Sequence, residues 1–262
     1  MMREVDINVN FSHHKIMIYD PVQYVEFFHL VFLDQLGRKL DKRLYALKGG
    51  CNLRFYLGSI RYSQDIDLDV TTMWGTTLRK TVNTILASTG LALQLKAQSL
   101  EITQVSEAKQ TDTTQRWKIQ LQGRRGLTFP TKIEFSRRGL EQPVEFETIN
   151  STVLSSYHLH PIFVPHYGPD IAFKQKIRAL ALRSETQARD IWDLFHLINA
   201  YGILEGDREN LTQACENIYT MSFSDFKDQV IAFFPPDIQK QYNSKVWEEI
   251  QLKVLEYLES LR

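Results

Sequence analysis

The chain has 262 residues, 43% hydrophobic and 24% charged, enough apolar material for one large globular unit or two modest ones and too evenly mixed for a disordered chain. Lysine plus arginine balance aspartate plus glutamate at 31 each, which excludes a general electrostatic pull on nucleic acid and leaves any such contact to a local basic patch. Two cysteines, Cys51 and Cys215, are too few for a disulfide framework and match no zinc spacing, and no apolar run is long enough to span a bilayer, so a soluble cytoplasmic protein is expected.

The first eleven residues carry acids early and lack an apolar core, so they do not read as a secretory signal. From Pro21 to about Leu40, Val22, Val25, Phe28, Leu30, Val31, Phe32 and Leu36 recur at helical spacing, with Pro21 suited to a helix start and Gly37 near its end. An apolar stretch, Leu44 to Leu47, then meets Lys48 and the glycine pair Gly49-Gly50, and a short helical pattern runs from Cys51 to Leu57, closed by Gly58. Ser59 to Gln64 reads as a loop into Asp65 to Val70, a strand in which acidic and apolar residues alternate. A helix is expected from Thr76 to Ser88, followed by β-like segments at Leu91–Leu95, Gln98–Val105, Gln115–Gln122 and Phe129–Phe135. Beyond Gly168 the periodicity becomes helical, over Asp170–Leu182, Ala188–Ala200, Arg208–Tyr219, Ser224–Phe233 and Ser244–Ser260. Pro161, Pro165, Gly168 and Pro169 mark the change, which predicts an α/β domain over residues 1–160 and a helical domain over residues 161–262 that completes the cleft.

The acidic strand carries the chemistry. Alternation puts Asp65, Asp67 and Asp69 on one face and Ile66, Leu68 and Val70 on the other. Aspartate suits strands poorly and neighbouring carboxylates repel, so the arrangement costs stability unless cations or donors compensate. Two carboxylates about 6–7 Å apart along a strand suit a pair of magnesium ions in phosphoryl-type transfer. A solvated face whose acids pair with lysines is the competing meaning, at even odds on the acids alone. The upstream glycine pair tips the balance, because a turn without side chains lets backbone amides approach a triphosphate.

The blocks Leu47-Lys48-Gly49-Gly50-Cys51-Asn52-Leu53-Arg54 and Arg61-Tyr62-Ser63-Gln64-Asp65-Ile66-Asp67-Leu68 resemble the first motif of the AbiEii/AbiGii nucleotidyltransferase toxins: a glycine pair, a short helix, then an arginine-aromatic-serine loop into an acidic strand. Thr131 to Ser136 resembles the family's intermediate strand, and Ile171 to Leu180 with Arg189 to Leu194 its later lysine and arginine-aspartate motifs. The resemblance spans residues 44–197. It implies an α+β fold, a nucleotidyltransferase-like mixed sheet flanked by helices and similar to the DNA polymerase β superfamily, followed by a helical domain. It also implies a nucleoside triphosphate substrate, magnesium (with manganese as a substitute), transfer of a nucleoside monophosphate to tRNA or another RNA, and a cognate antitoxin in a type IV-like toxin–antitoxin or phage-defence setting. Carried over by position, Gly49 and Gly50 bind the triphosphate with Lys48, Arg61, Ser63 and Lys176; Asp65 and Asp67 bind metal; Lys176 and Asp190 complete the site. Two departures stand out: Cys51 occupies a position where threonine or serine is usual, and Gly50 replaces the serine of the wider superfamily.

Other candidates are weighed on physical grounds. Glu134 alternates with Ile133 and Phe135 and emerges from a strand face as a third metal-binding carboxylate and general base, with a cross-strand ion pair to Lys132 or Arg137 as the alternative. Lys176 flanks the apolar stripe of Phe173, Ile177 and Leu180, whereas Lys174 falls on the other flank; snorkelling to solvent is the bland meaning of either. Asp190 sits at the edge of the next helix's stripe and is the favoured orienting partner for Lys176 or the acceptor, with Asp193 the second choice; favourable helix-dipole placement and an ordinary solvated face are their respective bland meanings. His158, His160 and His166 suggest a metal site, but packing or hydrogen-bonding roles are the commoner outcome. The basic residues between 115 and 140, with Trp117, suit an RNA backbone or the charged guard of a solvated sheet edge. The competing functions are the same chemistry on a small molecule or protein side chain, or a non-catalytic nucleotide-binding module.

Overall fold

The structure is a computed structural model that describes residues 20–71, 74–202, 204–206 and 208–262. The N-terminal segment examined above for a secretory signal lies outside the described residues. The first helix, α1 (Pro21–Lys39), starts as the sequence expects: Pro21 fits the first turn and Asp20 closes a capping box with Gln23. It is apolar on nearly all sides because it is buried on nearly all sides, and it carries Glu26 and His29 into the interior. Glu26 is satisfied there by Arg54 at 2.8 Å and the Tyr157 hydroxyl at 2.9 Å.

The strand β1 (Tyr45–Lys48) passes directly into the short helix α2 (Gly49–Phe55), and β2 (Ile66–Val70) returns antiparallel to β1. Two helices follow, α3 (Gly75–Leu86) and α4 (Thr89–Ala97), then the strands β3 (Glu101–Gln110), β4 (Thr114–Gln122), β5 (Thr128–Ser136) and β6 (Glu145–Thr148). A short α5 (Ser151–Ser156) leads to β7 (Phe163–His166). The remainder is helical: α6 (Pro169–Leu182), α7 (Ala188–Tyr201), α8 (Leu211–Ile218), α9 (Phe223–Gln229) and α10 (Ser244–Ser260). Among the described residues seven strands form one mixed sheet, ordered β3-β4-β5-β2-β1-β7-β6, with β2–β5 and β1–β7 the parallel pairs.

One expected strand, Leu91–Leu95, is instead the middle of α4. Leu91 and Leu95 are buried while Leu93 is 63% exposed, the pattern of helical spacing and not of alternation. Ser88 caps this helix by accepting from the Leu91 amide. Strands β6 and β7 are not among the elements expected from the sequence, and β7 contains Pro165 within its four residues.

The apolar interior falls into two large clusters. One joins α1, the apolar face of the sheet, α3, α4 and α5; the other joins α6 through α10. Helix α2 serves both: Cys51 and Phe55 belong to the first cluster and Leu53 to the second, joined there by Leu57 just past the helix end. A seven-residue helix wedged between two cores fixes the glycine turn at its start against both halves of the molecule.

Candidate active site

The register of the sheet assembles one polar face. Asp67 on β2 lies opposite Lys48 on β1 and Glu134 on β5, Glu134 lies opposite Arg116 on β4, and Ser136 lies opposite Asp69. Asp65 sits one residue before β2 and reaches Lys132 of β5 at 2.8 Å. Helix α6 crosses this face, and the space between them is a cleft of about 640 Å³. Lys48, Gly49, Asp65, Asp67, Glu134 and Lys176 all line it, so six of the expected site residues converge.

The carboxylates are not equivalent. Lys48 Nζ lies 2.5 Å from Asp69 Oδ1 and the Tyr167 hydroxyl donates to Asp69 Oδ2 at 3.0 Å, so Asp69 is committed. Glu134 pairs with Arg116 at 2.5 Å, a cross-strand pair, though with neither Lys132 nor Arg137. Asp65 keeps Oδ1 buried without a hydrogen-bond partner, and its burial, only partly opposed by Lys132, raises its carboxyl above the usual range. Asp67 has no ion pair or hydrogen bond among the described residues. Asp67 Oδ2 lies 2.9 Å from the point where a Cβ on Gly49 would stand, and Gly49 has φ +66°, so a side chain there meets both steric and backbone strain. An orphaned carboxylate oxygen beside an unpartnered carboxylate is an all-oxygen donor set that fits a hard divalent cation.

The second glycine has a different reason. A Cβ on Gly50 would lie 2.5 Å from Ser63 Oγ and 3.2 Å from an Arg61 guanidinium nitrogen. Ser63 donates to the Asp65 carbonyl at 2.9 Å, and Cys51 Sγ donates to the same oxygen at 3.2 Å. Position 51 therefore pins the acidic loop from inside the core. Arg61 is 4% exposed and grips Asp193 through contacts of 2.9 to 3.2 Å. Arg61 and Ser63 thus stand behind the glycine turn, outside the cleft lining, bracing it.

Asp193, the second choice as partner for Lys176 with a solvated face as its alternative, is fully buried. Burial works to raise its carboxyl, but Arg61 and Lys176 outweigh that and hold it below the usual carboxylate range. Lys176 Nζ reaches Asp193 at 2.6 Å and Asp190 at 3.0 Å, and Arg183 Nε lies 2.8 Å from the other Asp190 oxygen. Two buried acids on α7 therefore anchor the lysine of α6, while Lys174 pairs with Glu205 at the surface. The basic run read as a possible solvated sheet edge is partly interior: β4 and β5 are inner strands, and Arg116, Lys132 and Arg138 line the cleft with Arg178, Arg183 and Arg189. Arg189 belongs to the arginine-aspartate motif and Arg183 shares the flank of Lys176, whereas nothing in the sequence lifts Arg178 above an ordinary helix surface. His158 and His160 are exposed after α5, whereas His166 is buried in β7.

The sequence from residue 31 to residue 260 matches the family described as nucleotidyl transferase AbiEii toxin, type IV TA system. The chain belongs to that family. It is accordingly a nucleotidyltransferase of the toxin type, and its family implies a nucleoside triphosphate substrate and a cognate antitoxin. Similar solved structures include MenT4, a nucleotidyltransferase toxin from Mycobacterium tuberculosis H37Rv, at 17% identity and a TM-score of 0.60, covering 92% of this chain and 85% of that one. A putative nucleotidyltransferase from Helicobacter pylori matches at 16% identity and a TM-score of 0.58, covering 94% and 99%. JHP933 from Helicobacter pylori matches at 18% identity and a TM-score of 0.56, covering 94% and 93%. At these identities the likeness is one of fold. A comparison with curated proteins finds no match to this chain. Among the described residues no helix is long and apolar enough to cross a membrane.

Proposed function

We propose that the cleft transfers a nucleoside monophosphate from a nucleoside triphosphate to a hydroxyl of RNA, with tRNA the preferred acceptor, inside the cytoplasm of a cell that also makes the antitoxin, in a toxin–antitoxin or phage-defence role. The observation that carries this is the meeting of the Asp65 and Asp67 carboxylates with the Gly49 turn on one wall of a cleft rimmed by cations. The acceptor hydroxyl oxygen forms a bond to the α-phosphorus, the bond from that phosphorus to the bridging oxygen breaks, and pyrophosphate leaves. Asp65 and Asp67, with Glu134 beside them, would hold magnesium or manganese, which supplies neutralisation and alignment of the phosphate charge when bound. Glu134, paired with Arg116 in the fold, takes the hydroxyl proton once Arg116 turns to phosphate oxygens. Gly49 lets the backbone approach the outer phosphates, and Lys176, oriented by Asp190 and Asp193, faces the pyrophosphate. Lys48 joins it at the phosphates, with Gly50, Arg61 and Ser63 holding the turn in shape. Arg138, Arg178, Arg183 and Arg189 give an RNA backbone a local basic surface in a chain of zero net charge.

Purified protein incubated with α-labelled triphosphates, magnesium and total tRNA tests this. Label in the tRNA fraction with the wild type, and none with Asp67→Asn, is expected. Label in a protein or small-molecule fraction instead would move the acceptor, and no transfer to any acceptor would leave a nucleotide-binding module.

A further inference from the structure

Across the sheet from the cleft lies a second cluster of ligating side chains. His166 faces the side of Leu47 and Leu68, opposite the side of Asp67, while the next residue, Tyr167, reaches Asp69 in the cleft. The imidazole is 1% exposed and stacks on Tyr56 with ring centroids 3.6 Å apart and planes 8° from parallel. Its Nδ1 lies 3.2 Å from the Tyr167 carbonyl, an acceptor, so Nδ1 carries a proton and in the neutral ring Nε2 offers its lone pair. That Nε2 is buried without a hydrogen-bond partner and lies 3.9 Å from both Glu145 Oε2 and Glu147 Oε2. The two glutamates project from the same side of β6, Glu145 directly opposite His166. All three ligand atoms lie within 4.8 Å of one another. Among the described residues no lysine or arginine pairs with either carboxylate. Gly168 leaves room for the arrangement, since a Cβ there would come within 2.1 Å of Glu145 Oε1.

We propose that His166, Glu145 and Glu147 form a three-ligand site for a zinc-type divalent cation, separate from the nucleotide cleft, that fastens the edge strand β6 to the sheet. Two donors about 2.0–2.2 Å from a common tetrahedral zinc stand roughly 3.4 Å apart, so the imidazole, at 3.9 Å from each carboxylate, is within about half an ångström of sharing an ion with either. The glutamates are partly exposed, so their side chains swing to close the remaining gap. A backbone carbonyl fixing the far ring nitrogen is the usual outer support of a metal-bound histidine. One imidazole with two carboxylates selects zinc and its neighbours over magnesium, whose preference is for oxygen alone and for retained water. A cation here steadies β6, which pairs with β7 at the edge of the sheet and follows the segment Arg138 to Glu141 that lines the cleft. The site stands whether or not the RNA-directed transfer does.

The test is calorimetric titration of the metal-stripped full chain with Zn²⁺ in excess Mg²⁺. One Zn²⁺ bound per chain, a raised melting temperature, affinity at least about tenfold weaker in Glu147→Gln and in Glu145→Gln, and binding retained in Asp67→Asn are expected. His166→Gln disturbs packing against Tyr56, so the glutamate variants decide. No Zn²⁺ binding over magnesium would overturn the site in favour of a protonated histidine between two carboxylates. Binding indifferent to the Glu145→Gln, Glu147→Gln double variant would overturn it as well.

Discussion

At the scale of single residues the two glycines do separate work. Gly49 is required by its positive φ and by Asp67, Gly50 by Ser63 and Arg61. Gly50→Ala is therefore expected to cost about 1–3 kcal/mol through overpacking, and Ser63→Ala in the same chain to recover part of it because the closest clashing atom is gone. Denaturant midpoints of the two single variants and the double variant check this; additive losses would contradict the shared contact. Asp67 gives the opposite sign. It faces other acids without a partner, so Asp67→Asn in metal-free buffer is expected to melt no lower than the wild type while abolishing transfer. A large melting loss would assign the carboxylate to structure instead.

At the scale of elements, the α6–α7 junction depends on charges removed from water. Asp193→Ala leaves Arg61 buried without its partner, and a loss of about 3–5 kcal/mol in unfolding free energy is expected; Lys174→Ala, in a surface pair, is expected to leave the midpoint nearly unchanged. The same junction is acid-sensitive. Asp193 is held below the usual carboxylate range in the fold, so its contribution is present above the ordinary pKa near 4 and lost as pH falls through the lower folded value. His29 on α1 adds an earlier window. Burial pushes its imidazole from 6.5 down to about 3, with Nε2 donating to Thr131 Oγ1 at 2.8 Å and Thr131 donating to the Gln64 carbonyl at 2.8 Å. The unfolded chain takes up a proton below about 6.5 that the fold refuses until about 3, so stability is expected to fall between those values. Unfolding midpoints from pH 7 to 4 check it: His29→Gln is expected to flatten the dependence, and an unchanged slope would contradict the assignment.

Elements also show what the sequence could carry. The acidic alternation, the glycine pair and the order of blocks were legible because they are local. Leu91–Leu95 misled because three leucines at alternate positions fit a strand as well as a helix until burial separates Leu93 from its neighbours. The burial of Asp193 was not legible because its partners, Arg61 and Lys176, lie 132 and 17 positions away, and helical periodicity cannot show that a polar flank has been covered by another segment. Glu134 was legible as a face residue, but its Arg116 partner depends on a register that only the folded sheet supplies.

At the scale of the molecule, α2 links the cores, so the glycine turn and the lysine of α6 are held in one frame although they sit in different halves of the chain. Strand β7, just beyond residue 160, pairs in parallel with β1. On the proposed function, Asp65 and Asp67 gather divalent metal beside the Gly49 turn. Anomalous diffraction from crystals soaked with Mn²⁺ and a non-hydrolysable triphosphate measures it directly. Metal density bonded to both aspartates, with the phosphates against the turn, is the expected result; phosphates bound elsewhere with no metal at Asp65 and Asp67 would contradict it.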